Sequence, residues 1–247
     1  MNPRRTAPAA PGDGRAREAI LAAAARVFAA KGFGGARVDE IALLAGVNKA
    51  MLYYHVGGKE ELYAAVVARA LDGVAGRLAA VVASTGPPEA RFRALVAAVA
   101  LAARDVPEFP VLILREVADG GVHLPPEVLA RIATVFGAFR SVLSDGRAAG
   151  AFTAADPLLT HMIVGGSLFF LAASKPLRER LAAHARGAHA ATAATDPAAV
   201  ADLLLHGLSG PTRPQGAPDE TRDLAPRPRS RARRGAPPPR PGRARPL

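Results

Sequence analysis

Apolar residues recur along most of the chain with the spacing of amphipathic helices. In the first such segment Ile20, Ala24, Val27 and Phe28 lie at offsets 0, 4, 7 and 8, which places them on one face of a helix. This helix is predicted over about residues 13 to 31, with Gly32 ending it. Because no stretch alternates apolar and polar residues over the length of a strand, the pattern predicts an all-α protein.

Further helices are predicted wherever the same periodicity lies between helix-breaking residues. Proline stands near the start of many of these segments, where its missing N–H costs little. They cover about residues 38–45, 48–56, 59–83, 88–104, 107–119, 126–148, 157–174, 176–186 and 197–208. Two flanking segments, 1–12 and 211–247, have too few large apolar side chains to offset the entropy of ordering, so both are predicted to be disordered.

Composition narrows the classes of function. The net charge is +11, and the ten arginines and three acids of residues 211–247 contribute +7 of it. There is no cysteine, which excludes disulfides, cysteine-ligated zinc and thiol nucleophiles. No secretory signal pattern begins the chain, and the apolar run at 162–173 is shorter than the roughly 20 residues that span a bilayer. We therefore expect a cytoplasmic protein with no membrane partner.

The segment "VDEIALLAGVNKAMLYYHV", residues 38–56, predicts two helices joined at Gly46. Ala42 is small enough for a close helix crossing, and Gly46 can adopt the positive φ of a tight turn. The shared core is predicted to contain Ile41, Ala45, Val47 and Leu52. This arrangement is that of a helix-turn-helix.

The second helix of the pair buries Leu52 and Val56 on one side and is predicted to present its other side chains outward. About seven residues make a helix roughly 10 Å long, which fits a major groove about 12 Å wide. Its DNA-binding candidates are Lys49, Ala50, Met51, Tyr53, Tyr54 and His55. Phosphate contacts are expected from Arg37 and from Lys59, which follows Gly58 at the start of the next helix.

The motifs F-x-x-K-G-F, D-E-I-A, A-G-V, L-Y-Y-H and K-E-E-L, within residues 15–67, together resemble the DNA-binding domain of TetR/AcrR-type transcriptional regulators. The resemblance implies a three-helix DNA-binding head, 13–58, and a helical regulatory and dimerisation domain, 59–210. The sequence differs from the usual family pattern at two places. Arg37-Val38 stands where Thr or Ser usually caps the helix, and Gly57-Gly58 stands where Pro-Ser is usual.

In such regulators the last two long helices form the dimer interface, here 157–174 and 197–208. The first of them carries Ile163, Phe169 and Phe170 beside the pair Gly165-Gly166; the alternative is a core helix within one chain. An effector pocket is expected between residues 88 and 174. Its candidate lining residues are Phe109, Arg115, His123, Phe136, Arg140, His161 and Met162.

Other classes of function fit less well. The six histidines form no H-E-x-x-H pair, "GFGGAR" breaks the G-x-G-x-x-G pattern at Arg37, and Ser167 lies in no G-x-S-x-G. We expect no enzyme, cofactor or metal site. The basic tail is either an electrostatic tether to DNA or a product of codon usage and solubility. The predicted function is a ligand-responsive repressor that binds a near-palindromic operator as a homodimer; the alternatives are an activator or a regulator without an effector.

Overall fold

The computed structural model describes residues 13–184 and 196–209, and every regular element in these ranges is a helix. The helices are α1 Asp13–Gly35, α2 Val38–Ala45, α3 Lys49–Val56, α4 Lys59–Ala83, α5 Pro88–Asp105, α6 Phe109–Ala118, α7 Pro126–Ala148, α8 Pro157–Ala173, α9 Lys175–His184 and α10 Pro197–Leu208. The all-α prediction is confirmed. The tails predicted to be disordered, 1–12 and 211–247, lie outside the described residues.

Helices α1 to α3 form the head, whose core contains Ile20, Phe28, Ile41 and Leu52, all fully buried. The turn between α2 and α3 has the predicted form. Gly46 adopts the left-handed conformation at φ 70°, and its N–H donates to the carbonyl of Leu43 at 3.2 Å. Glycine adopts this conformation at the carboxyl end of a helix at little cost because it has no Cβ. This turn therefore fixes the angle at which α3 leaves α2.

Two details of the head concern the ends of its helices, and only the first differs from the prediction. The backbone of α1 leaves helical geometry at Gly32, as expected, but resumes for one short turn that ends at Gly35. The start of α2 at Arg37 has no side-chain hydrogen bond to the first turn. Because Ser, Thr, Asp or Asn at this position usually contributes about 1 kcal/mol, the amino terminus of α2 is capped only weakly.

Helix α4 joins the head to the body, which comprises α4 to α10. Its buried residues repeat every four positions, at Leu62, Val66, Ala70, Val74 and Leu78, which makes one continuous apolar stripe. The helix packs against α1 in the head and against α5 and α7 in the body. A single element of 25 residues thus contacts both parts of the molecule.

The rest of the body surrounds a core to which α5, α7 and α8 contribute Phe92, Leu95, Phe139 and Val164. In contrast, α8 also carries a set of exposed large apolar side chains, namely Leu158, Leu159, Met162, Ile163 and Phe170. Among the described residues no single helix is long and apolar enough to cross a membrane. Helix α8 and the first part of α9 reach that length only together, with a bend of 56° between them.

Candidate nucleic-acid interface and body cavity

Helix α3 is anchored at its start and on one face. The side chain of Asn48 accepts a hydrogen bond from the Met51 N–H at 2.7 Å, which caps the helix. Leu52 is fully buried and Val56 packs against the same core. The opposite face is open: Met51 and Tyr53 are more than 40% exposed and Tyr54 is 79% exposed. Ala50 is exposed beside them.

Lys49, at the start of this face, forms an ion pair with Asp39 of α2, whose Oδ1 lies 2.8 Å from the lysine Nζ. The hydrogen bond and charge of Lys49 hold the pKa of Asp39 below its usual value, and Asp39 in turn raises the pKa of Lys49. Both side chains are well exposed. The charge of Lys49 therefore lies at the amino-terminal end of α3, where it is already paired with a carboxylate of the same chain.

His55 differs from the expectation that it faces outward. Its side chain is only 6% exposed, and its Nε2 lies 3.9 Å from the Asp13 carboxylate of α1. That nitrogen is buried and has no hydrogen-bond partner among the described residues. The reason is that the first turn of α1 lies beside the last turn of α3. The side chain of His55 is therefore directed at α1 and not at the open face of α3.

The corner between α3 and α4 is built from Gly57 and Gly58. Gly57 has φ 79° and ψ −148°, a conformation that side chains other than glycine rarely adopt, and its N–H donates to the Tyr53 carbonyl at 3.0 Å. The Gly58 N–H donates to Glu61 Oε2 at 3.0 Å. This bond satisfies one N–H at the start of α4 with a carboxylate from the same turn.

Lys59, at the first position of α4, is directed back toward α1. Its Nζ donates to the Gly34 carbonyl at 3.3 Å and lies 4.7 Å from the centroid of the Phe33 ring, a cation–π distance. Arg37 is exposed at the start of α2. The cations Arg37, Lys49 and Lys59 thus come from the starts of three successive helices, α2, α3 and α4.

The body contains a cavity of about 190 Å³ whose walls are almost entirely apolar. Three predicted residues, Phe109, His161 and Met162, line it. The imidazole of His161 is the main polar group there: burial lowers its pKa, its Nδ1 has no hydrogen-bond partner among the described residues, and the ring of Phe139 lies 4.9 Å away. The cavity suits an apolar molecule with one hydrogen-bonding group.

Comparisons with known proteins agree with this architecture. The family model for bacterial regulatory proteins of the tetR family matches residues 20–66, and a model for a tetracyclin repressor-like C-terminal domain matches residues 88–201. The transcriptional repressor NicS of Pseudomonas putida is 31% identical over 163 residues, which span 65% of this chain and 76% of NicS. The chain belongs to the TetR family.

Two further relatives bear on this TetR-family protein. The transcriptional activator FasR of Mycolicibacterium smegmatis is 41% identical over 79 residues, or 32% of this chain and 36% of FasR. The crystal structure of AibR with isovaleryl coenzyme A and operator DNA superposes with a TM-score of 0.59 at 24% identity, over 79% of this chain and 99% of AibR. The family establishes the chain as a DNA-binding transcriptional regulator that is not an enzyme.

Four of the residues predicted to line the pocket of this TetR-family regulator lie elsewhere. Phe136 packs on the ring of His161, with ring centroids 6.3 Å apart, but does not line the cavity, and Arg140 is exposed on α7. Arg115 reaches the head, where its Nη2 donates to the Ala29 carbonyl of α1 at 3.2 Å. His123 packs against Phe33 with ring centroids 4.3 Å apart. Helix α6 lies between the head and the cavity, so Arg115 faces the head while Phe109 of the same helix lines the cavity.

The two adjacent phenylalanines of α8 lie in different environments. Phe169 lines the cavity and packs against Phe109 with ring centroids 5.4 Å apart, whereas Phe170 is exposed. Ile163 is exposed as well, while Gly165 and Gly166 border the cavity. Phe169, which was predicted to lie in a dimer interface, is therefore directed into the cavity of its own chain.

A cluster that the sequence did not indicate lies where the head of the TetR-family regulator contacts α6. Glu116 is buried, with 3% of its side chain exposed; its Oε1 accepts from the Tyr63 hydroxyl at 2.7 Å and lies 3.0 Å from His123 Nδ1. Burial, and then the hydrogen bond to Glu116, raise the pKa of Tyr63, which keeps its hydroxyl a donor. The rings of Phe28 and Phe33 pack on Tyr63. One acidic residue thus connects α4, α6 and the loop after α6.

Proposed function

We propose that this regulator is a homodimeric, ligand-responsive repressor that reads a near-palindromic operator with α3 in the major groove. The observation that supports this most is the open face of α3, where Met51, Tyr53 and Tyr54 are exposed while Leu52 fixes the helix to the head. A helix of eight residues is about 12 Å long, which suits the width of the major groove. So much exposed aromatic and apolar surface on so short a helix is available for contact with DNA.

The side chains of this surface are assigned different tasks. Lys49, Ala50, Met51 and Tyr53 are proposed to contact base edges, because they come first along the outward face of α3. Tyr54, Arg37 and Lys59 are proposed to contact phosphates, which position the helix without reading sequence. His55 is the exception among the predicted contacts, since α1 covers it. The DNA-binding domain is proposed to comprise residues 13–58, and the regulatory domain residues 59–210.

A second copy of the chain is proposed to cover the exposed apolar residues of α8 and α10. Ile163 and Phe170 on α8 and Leu203 on α10 are between 43% and 76% exposed, and their burial between two subunits would be favourable. A two-fold dimer would place two α3 helices one turn of DNA, about 34–36 Å, apart. This symmetry is what a near-palindromic operator requires. The regulator is proposed to act in the cytoplasm, where bacterial DNA lies.

The effector is proposed to be a small, largely apolar molecule that occupies the cavity and hydrogen-bonds to His161. A volume of about 190 Å³ is below the range of about 300–1,000 Å³ typical of drug-sized ligands, which favours a small ligand or one acyl part of a larger one. AibR, solved with isovaleryl coenzyme A and operator DNA, belongs to the same fold. Repression is the first hypothesis because NicS is a repressor; the similarity to FasR makes activation the alternative.

Footprinting on the DNA that flanks its own gene tests the proposal directly, and a protected palindrome is the expected result. With that operator, Lys49→Ala and Tyr53→Ala should reduce the ratio of operator to random-DNA affinity, by about 1–3 kcal/mol for a lost base contact. Lys59→Ala should weaken both affinities alike. Lys175→Ala, which removes an exposed lysine of the body, is the control. Operator binding by Lys49→Ala and Tyr53→Ala equal to that of this control would refute the assignment of α3.

A further inference from the structure

The buried carboxylate of Glu116 is only partly neutralised by its neighbours. Its Oε1 has two partners, Tyr63 and His123, but its Oε2 is buried and has no hydrogen-bond partner among the described residues. Leaving a buried charged oxygen unpaired is costly. A carboxylate in this position therefore favours a cation beside it.

Two further ligand-type side chains lie next to Glu116. One oxygen or nitrogen atom from each of Glu116, Asp119 and His123 lies within 4.8 Å of the others. The 3.0 Å between Glu116 Oε1 and His123 Nδ1 is a hydrogen-bond distance, but it is also close to the separation of about 3.0–3.4 Å between two ligands of one ion. Asp119 is exposed, so its carboxylate is free to rotate toward the other two.

We propose that Glu116, Asp119 and His123 form a binding site for a divalent transition-metal ion. Imidazole together with carboxylates suits ions such as Zn²⁺ rather than Mg²⁺ or Ca²⁺, which prefer oxygen ligands alone. Three protein ligands leave one position of a tetrahedral ion for water or another small ligand. In the sequence these ligands have the spacing E-x₂-D-x₃-H, which begins in the last turn of α6.

The surroundings of the site give the ion a route of entry. His123 borders an open crevice between the start of α4 and the loop before α7, and Glu60, Glu61 and Glu127 line that crevice. A concave surface with several carboxylates concentrates cations near its opening. The buried Glu116 forms the inner end of the site, and the exposed Asp119 forms its outer edge.

Binding is tested on the untagged full-length protein after removal of metal with a chelator. Zinc is titrated in competition with a chromophoric chelator, and one zinc ion per chain is expected. Asp119→Asn changes only an exposed side chain and should weaken zinc binding at least about tenfold, as loss of even an indirect ligand contact does. Glu116→Gln keeps an acceptor for Tyr63 but loses the charge, and it should bind no zinc. The control is Glu127→Gln, which alters the crevice but not the cluster, and its affinity should equal that of the wild type.

Equal zinc affinity in the wild type and Asp119→Asn would overturn the proposal, since Asp119 would then not be a ligand of the ion. X-ray absorption of the zinc-loaded protein gives an independent readout: one imidazole with oxygen ligands is expected, and a shell without nitrogen from imidazole would also overturn it. Bound zinc should raise the melting temperature of the wild type but not that of Glu116→Gln.

The location of the site implies a regulatory effect, and this step rests on the proposed function. An ion would fix His123, whose ring packs on Phe33 of α1, and Glu116, which accepts from Tyr63 of α4. Saturating zinc should therefore change the operator affinity of the wild type and leave that of Asp119→Asn unchanged. Equal operator affinity with and without zinc would overturn the regulatory step. Failure to bind the operator under either condition would instead contradict the proposed function.

Discussion

Replacement of Gly57 by alanine tests how the corner between α3 and α4 is held. The backbone there has φ 79° and ψ −148°, close to a region occupied almost only by glycine. A non-glycine residue in such a conformation costs about 1–3 kcal/mol. The added Cβ would also lie 3.3 Å from the Cβ of Glu61, the residue that accepts from the Gly58 N–H. We therefore expect Gly57→Ala to strain the backbone and to disturb the first turn of α4.

The assay is thermal unfolding followed by circular dichroism at a fixed protein concentration, because the melting temperature of the proposed dimer would depend on concentration. For a chain of this size each kcal/mol lowers the melting temperature by about 2–4 °C, so a fall of about 2–12 °C is expected. Gly76→Ala is the matched control: Gly76 lies exposed within α4, and a Cβ there meets no atom within 4 Å. It should gain about 0.5–1 kcal/mol. A melting temperature for Gly57→Ala at or above that of the wild type would refute the reasoning.

Three other predictions follow from the charges. Burial holds the pKa of His161 below 6.5, so its contribution to stability is present above that pH and is lost as the pH falls below it. Urea unfolding at about pH 7 and about pH 5 should show a larger loss for the wild type than for His161→Leu. Asp39→Asn releases Lys49 and removes an anion beside the proposed DNA-binding face, so operator and random-DNA affinities should both rise and depend more steeply on salt; unchanged salt dependence would contradict this. Arg115→Met removes the hydrogen bond to the Ala29 carbonyl, which should cost about 0.5–1.5 kcal/mol and speed hydrogen exchange near the end of α1, whereas unchanged exchange there would contradict it.

The helices of this protein could be predicted because their boundaries are set locally. Gly46 ends α2, and Pro88, Pro126, Pro157 and Pro197 each begin a helix at the position where proline is best tolerated. The buried side of α3 was likewise predictable, since the 3.6-residue period alone places Leu52 and Val56 together. Information within one helical turn was enough for these features.

Features that depend on contacts between distant segments could not be predicted in this way. The periodicity of α3 leaves His55 on the surface of that helix, and only the packing of α1 against α3 places Asp13 beside it. Similarly, nothing near Arg115 indicates that its guanidinium reaches α1 rather than the cavity. Phe169 and Phe170 are adjacent in sequence, yet one lines the cavity and the other is exposed. In each case the position depends on how whole helices are oriented.

The continuity of α4 constrains how this regulator can change during evolution or engineering. Lys59, Tyr63, Leu71 and Val74 lie on this one helix, the last two in the cavity wall. One inserted residue between Tyr63 and Leu71 would turn everything beyond it by about 100° and shift it by about 1.5 Å. The cavity wall would then face solvent while the head stayed in place. Domain exchange with a relative should therefore succeed when the junction lies at Gly57-Gly58. It should also succeed when the junction lies within α4, provided that the number of residues between the head and the cavity is unchanged.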